Sequence, residues 1–241
     1  MASTAPARAV VVIPTYNERE NIEGLVEAVI AAAPYVRVLI VDDNSPDGTG
    51  EIADALADRF PEMISVLHRD RKEGIGPAYL AGFAWAIEND APVVVSMDAD
   101  FSHDPADVPR LLAEVTRSDI ALGSRYIADG RTVGWPWFRR VISRAGGTYA
   151  RLILGVHVTD LTGGFKAYRR AVIQRILAGQ IRSDGYGFQI ETVYRSIKRG
   201  FLVTEVPIVF HDRTKGRSKL SRRIVLEAML VVWRLRFERI D

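Results

Sequence analysis

Four short apolar runs rich in β-branched residues, "AVVVIPT", "VRVLIVDD", "MISVLHR" and "APVVVSMDAD", are separated by stretches of helical length, "NIEGLVEAVIAAA", "DGTGEIADALADRF" and "PAYLAGFAWAIEN". Such strands, each followed by one helix, build βαβ units around a parallel sheet covered on both faces. The expected fold class is therefore α/β, with a mostly parallel, Rossmann-like central sheet flanked by helices. Ligands of such sheets lie beyond the carboxyl ends of the strands. The polar clusters fall there: "PTYNE" after the first run, "DDNSPDGT" after the second and "DADFSHD" after the fourth.

Beyond Gly123 the pattern loosens. "GSRYIADGRTVGWPWFRR" predicts a loop and "VISRAGGTYARLILGV" a helix. "GGFKAYRRAVIQRIL" predicts a short strand entering a helix, "FQIETVYRSIKRG" another helix, and "FLVTEVPIVF" a strand. "HDRTKGRSKLS" reads as a polar loop, and an amphipathic helix is expected from about Arg222 to Arg239. With 241 residues, 48% of them hydrophobic, the chain can bury a large core, and no repeat or linker divides it. Residues 1–221 are expected to form one catalytic body, and 222–241 a closing helix that faces a membrane or a partner.

Cysteine is absent, which excludes disulfides and thiol nucleophiles. The N-terminal "MASTAPARAVVVIPTYNE" lacks a signal-peptide core, and "AMLVVW" is too short to span a bilayer. The expectation is a soluble protein that still has access to a membrane surface. Residues 211–241 hold nine Lys or Arg against four Asp or Glu, a net of +5 where the whole chain carries +2. A basic tail suits phosphates, anionic headgroups or nucleic acid, or is simply a solvated helix face. No nucleic-acid motif accompanies it, so no nucleic-acid partner is expected.

"SMDADFSHDP" carries the sharpest chemical signal. Carboxylates two residues apart, Asp98 and Asp100, repel each other, a cost that a divalent cation or a hydrogen-bonded loop would remove. Oxygen ligands select hard cations, and Mg²⁺ in particular is held by one or two carboxylates plus substrate phosphates. Mg²⁺ or Mn²⁺ shared with a nucleotide diphosphate is the expectation. Asp104 before Pro105 reads as a helix cap, and His103 as a surface hydrogen-bonder. "DDNSPDGT" is open between a plain turn capped by Asp47 and a carboxylate pair for a base or ribose. The glycines of "GIGPAYLAGF" fit close backbone packing better than a phosphate loop. Arg125 in "GSRY" falls on the ligand edge. Arg140, Arg144 and Arg151 share a helix face beside Arg139, and guanidinium groups suit bidentate phosphate binding. Arg213, Lys215, Arg217 and Lys219 lie in the polar loop, where they suit a lid over an anion.

Taken together, "VVIPTYNERENI", "IVDDNSPDGT", "MDADFSHDP", "LGSRY", "DLTGGFKAYRR", "GYGFQIE" and "VPIVFHDRTKGRSKLS" resemble, in order, the blocks of family 2 glycosyltransferases with the GT-A fold. Within that family the chain is most similar to the polyprenyl-phosphate mannosyltransferases, the dolichol-phosphate mannose synthase group. The likeness runs from Val10 to about Ile224. It implies Pro14, Tyr16, Glu18, Val41 and Asp43 on the nucleoside, Asp98 and Ala99 on the nucleotide sugar, and Asp100 on the cation. It implies Arg125, Arg213 and Lys219 around the sugar phosphate, and Arg144 toward the lipid phosphate. Ser102 stands where some members carry Gln, and is the third metal candidate.

The resemblance further implies transfer of mannose from GDP-mannose to polyprenyl phosphate with inversion, at the cytoplasmic face of the membrane. Members with a built-in anchor carry transmembrane helices after the catalytic region. Here a membrane surface or an integral-membrane partner is expected to serve instead. A phosphate monoester is already largely anionic at neutral pH, so no general base is required, although Glu191 and Asp184 are spare candidates. The competing readings are a polyprenyl-phosphate glucosyltransferase or another family 2 hexosyltransferase using a UDP-sugar, an aspartyl phosphohydrolase, and an inactive nucleotide-sugar binding module. Ile224, Leu226, Leu230, Trp233 and Phe237 share one side of the closing helix, which suits a bilayer interface or packing against protein.

Overall fold

The computed structural model describes residues 8–179, 181–212 and 222–238, limited to the backbone at 222–228. The lid residues Arg213, Lys215, Arg217 and Lys219, and the side chains of Ile224 and Leu226, lie outside this description.

The β-branched runs form strands β1 (Val10–Thr15), β2 (Arg37–Asp42), β3 (Ile64–His68), β4 (Val93–Ser96) and β5 (Ile120–Ser124). Helices α1 (Ile22–Ala32), α2 (Thr49–Arg59), α3 (Ile75–Glu88) and α4 (Val108–Glu114) join them in turn. After β6 (Arg131–Val133) come α5 (Trp137–Leu154), β7 (Lys166–Arg169), α6 (Arg170–Ala178), α7 (Gly185–Lys198), β8 (Val203–Pro207), β9 (Val209–His211) and α8 (Arg222–Phe237). Seven strands make one sheet in the order β3-β2-β1-β4-β7-β5-β8. All neighbours are parallel except that β7 runs antiparallel to both β4 and β5.

Side-chain alternation along β1 and β2 divides the core by face. Val11, Ile13, Val38 and Ile40 pack with Ile22, Leu25 and Val29 of α1, whereas Val10, Val12, Leu39 and Val41 pack with Tyr79 and Phe83 of α3. Gly82 allows α3 to lie directly on the sheet, because a Cβ there would sit 2.4 Å from Val12 Cγ1. A third apolar cluster joins α5, α7 and α8 through Leu154, Ile190, Val193, Val231, Val232 and Leu235. One side of α8 is therefore part of the protein interior. It is fastened there by Glu191, whose Oε2 accepts from Arg234 Nη2 at 2.9 Å and Ser183 Oγ at 2.6 Å, while Oε1 accepts from Arg195 Nε at 2.8 Å.

Three features differ from the expectation. The strand in "GGFKAYRR" inserts antiparallel between β4 and β5. The run "FLVTEVPIVF" divides at Ile208, so that β8 stays with β5 and β9 pairs with β6 in a separate ribbon. The stretch read as one loop after Gly123 supplies that ribbon's other strand. Pairing of this kind depends on residues far away in sequence, to which local periodicity is blind.

Candidate functional site

A cleft of about 640 Å³ lies beyond the carboxyl ends of β1, β2 and β4, lined by Pro14, Tyr16, Glu18, Asp43, Asp98, Ala99 and Asp100 together with Lys72, Gly74, Ile75 and Ala78. Six residues that the resemblance assigns to the donor, and Asp100, which it assigns to the cation, thus meet in one place. Val41 does not join them: its side chain is buried in the α3-facing layer against Gly82. Asp42 and Asp43 take different parts. Asp42 is the turn residue, accepting from Thr15 Oγ1 at 3.0 Å and Ser45 Oγ at 2.6 Å. Asp43 faces the cleft and pairs with Arg69 at 2.6 Å. Burial raises the Asp43 pKa against the opposing pull of Arg69.

The two aspartates after β4 are held from behind. Tyr79 donates to Asp98 Oδ1 at 2.9 Å, and the backbone N–H of Asp98 donates to His103 Nδ1 at 3.2 Å. His103 is buried, stacked on Phe165, so the surface position expected for it is incorrect; burial also lowers its pKa despite Asp98 and Asp100. A neutral ring that accepts at Nδ1 fixes the turn of the motif. Burial keeps the Tyr79 hydroxyl protonated, its pKa well above the ordinary value, so it remains a donor to Asp98. Ser102, offered as a metal contact, is buried and gives both its backbone N–H and its hydroxyl to Asp100 Oδ1. Its observed use is to orient Asp100. Asp104 accepts from Ala106 N at 2.9 Å, as a cap does.

Among the described residues no three His, Cys, Asp or Glu side chains converge as a closed metal cage. Two carboxylates on one cleft wall fit a cation completed by ligand phosphates and water, the arrangement usual for Mg²⁺.

Arg125 is placed differently from its expected role. It is buried, and its Nε and Nη2 grip Asp160 at 2.7 and 2.6 Å, with Nη2 also on Thr162 Oγ1 at 2.8 Å. Burial opposes its charge, but the attraction of Asp160 outweighs this and raises the Arg125 pKa. A guanidinium so occupied holds the β5 end to the turn at Asp160. Glu191 and Asp184 are likewise committed: the first to the α8 fastening, the second to Gly76 N at 2.7 Å.

A second cleft, about 680 Å³ and mostly apolar, is lined by Trp135, Ile142, Tyr149, Ile190, Met229 and Val232, with Arg139, Ser143 and Thr162 as its polar groups. Arg139 stacks 4.1 Å from the Trp135 ring and pairs with Asp212 at 2.8 Å. Arg144 is exposed beside this groove, 5.4 Å from the Tyr126 ring, and Arg140 is exposed on the same helix. The two clefts share a wall. Thr162 faces the groove, while two residues later a Cβ on Gly164 would lie 3.4 Å from Asp98 Oδ1. Helix α7 contributes to the same wall: Ile190 lines the groove, and Phe188 stacks on Tyr79, the donor to Asp98.

Sequence reasoning passed over Lys72, Tyr79 and the groove. Tyr79 and Ala78 stand in the glycine-containing stretch read as packing, and nothing local marks them as site residues. Trp135 and Met229 are 94 residues apart and meet only through the packing of α5 on α8.

The family described as Glycosyl transferase family 2 matches residues 10–177. The polyprenol monophosphomannose synthase of Mycolicibacterium smegmatis is 48% identical over 232 residues, covering 95% of this chain and 88% of its own. The undecaprenyl-phosphate mannosyltransferase of Micrococcus luteus is 45% identical over 227 residues, covering 94% and 93%. Among solved structures, glucosyl-3-phosphoglycerate synthase from Mycobacterium tuberculosis, in complex with Mn²⁺, UDP and glucosyl-3-phosphoglycerate, aligns with a TM-score of 0.68 at 20% identity over 98% of this chain and 81% of that one. This last likeness shows a shared fold, the GT-A arrangement.

Proposed function

The chain belongs to glycosyl transferase family 2, and from that premise we propose that it transfers mannose from GDP-mannose to a polyprenyl phosphate with inversion. The observation that carries this reading is the pairing of an acidic cleft with an apolar groove across one thin wall. A nucleotide sugar suits the first, and an isoprenoid chain suits the second. The names of the two relatives near half identity point the same way.

In the donor cleft Tyr16, Glu18 and Asp43 bind the nucleoside, and Asp98 and Asp100 hold Mg²⁺ or Mn²⁺ with the diphosphate. Bound there, the cation would supply Lewis-acid stabilisation of charge on the leaving diphosphate. Tyr79, His103 and Ser102 keep the two carboxylates aimed, so that little reorganisation accompanies the reaction. In the groove, Arg139, Ser143 and Thr162 receive the lipid phosphate, and Arg144 guides it from the surface. A phosphate oxygen attacks the anomeric carbon as its bond to GDP breaks, giving the β-linked mannosyl phosphate and GDP. The nucleophile is already an anion, in keeping with the commitment of Glu191 and Asp184 to structural contacts.

Among the described residues no helix is long and apolar enough to cross a membrane. Trp137, Phe138 and Val141 on α5 and Leu230, Trp233 and Phe237 on α8 are exposed around the groove. We read this surface as peripheral attachment to the cytoplasmic face, directly or through a membrane partner. Residues 1–221 are then the catalytic body, and 222–241 the helix that completes the acceptor side. The test supplies radiolabelled GDP-mannose, a short-chain polyprenyl phosphate and Mg²⁺ or Mn²⁺, and extracts the product into organic solvent. Lipid-borne label that disappears with a chelator is the expected result; label from UDP-glucose alone would overturn the sugar assignment.

A further inference from the structure

Lys72 is unusual among the groups lining the donor cleft. It is the cleft's one cation among the described residues, surrounded by Glu18, Asp43, Asp98 and Asp100. Its ammonium nevertheless makes no hydrogen bond or ion pair with a described residue, and rests 3.8 Å from the centre of the Tyr16 ring. The carboxylates have other donors: Asp43 has Arg69, Asp98 has Tyr79, Asp100 has Ser102, and Glu18 has Asn21 at 2.9 Å. Nearby cations are also taken, Arg69 by Asp43 and Glu73, and Arg71 by Glu73. A charge kept over an aromatic face, with no counterion, has its hydrogen-bonding capacity in reserve.

We propose that Lys72 is a donor-binding residue whose ammonium takes the negative charge of the nucleoside diphosphate. Resting on the proposed donor chemistry, the inference adds a residue to it. A cleft with four carboxylates repels a diphosphate, and the cation at Asp98 and Asp100 offsets that repulsion at the β4 end. Lys72 offsets it from its place over the ring of Tyr16, the residue that follows β1. Tyr16 thereby has two uses: it presents an aromatic face in the cleft, and it parks the ammonium within the ligand's reach.

The test measures GDP affinity by calorimetry in the presence of Mg²⁺ for the wild-type chain, Lys72→Gln and Lys72→Arg, at about 50 mM and about 500 mM NaCl, either side of the regime in which charge is strongly screened. Loss of one charge-assisted contact predicts a Kd about tenfold higher for Lys72→Gln at low salt, converging on wild type at high salt, with Lys72→Arg near wild type. A Kd for Lys72→Gln within about twofold of wild type at low salt, or a gap that does not shrink with salt, overturns the assignment. Wild-type protein that binds no GDP at either salt overturns the donor reading itself. That failure is distinguishable because it does not involve the variant.

Discussion

At the scale of single residues, the protein shows how little a side chain's type reveals about its use until its neighbours are known. Asp98 and Asp100 face the cleft, whereas Arg125, equally polar and equally near a strand end, is consumed by Asp160. Replacing Asp100 by Ala is expected to reduce transfer to about 1% or less and to remove the metal dependence of GDP binding, read by calorimetry with and without Mg²⁺. Lys166 supplies a second prediction. It is fully buried, with its Nζ 2.5 Å from Gln189 Oε1, and burial lowers its pKa to about 7 despite the nearby Asp160 and Asp98. The unfolded lysine keeps its proton to about pH 10.4, so between these values the unfolded chain binds more protons than the native one. Stability contributed by this group therefore rises with pH across that window. Lys166→Met is expected to flatten that rise, as urea midpoints at about pH 7 and pH 9.5 would reveal.

At the scale of elements, α8 has two different sides. Val231, Val232 and Leu235 face the interior, and Arg234 reaches Glu191, so the helix is an integral wall of the groove. Glu191→Ala leaves Arg195 and Arg234 without their shared buried partner, and is expected to cost about 3–5 kcal/mol in denaturant unfolding. The outer side bears Leu230 and Phe237, which are 72% and 79% exposed, a cost in water that a bilayer interface removes. Changing Leu230, Trp233 and Phe237 together to Gln is expected to lower sedimentation with anionic vesicles about tenfold or more while GDP affinity stays the same. Equal vesicle binding by that variant would sink the membrane reading of this surface.

At the scale of the whole molecule, the acidic cleft draws on the ends of β1, β2 and β4 and on α3, so a ligand bound there would tie together a large part of the fold. Mg²⁺ with GDP at about a hundred times Kd should stabilise the native state by about 2.7 kcal/mol, which for a chain of this size raises Tm by about 5–11 °C. Chelation should reverse most of that rise in a thermal scan. The α/β class, the parallel strands β1 to β4 and the placement of the polar clusters at their carboxyl ends were legible from hydrophobic periodicity, which is a local property. The carboxylate pair was legible too, because Asp98 and Asp100 stand two residues apart just beyond β4, at the strand end where periodicity alone puts the ligand edge. Tertiary structure alone decided the antiparallel insertion of β7, the burial of His103, the capture of Arg125 by Asp160 and the meeting of α5, α7 and α8 around an apolar groove. Each depends on contacts between residues distant in sequence, and burial and pairing of that kind are set by the packed whole.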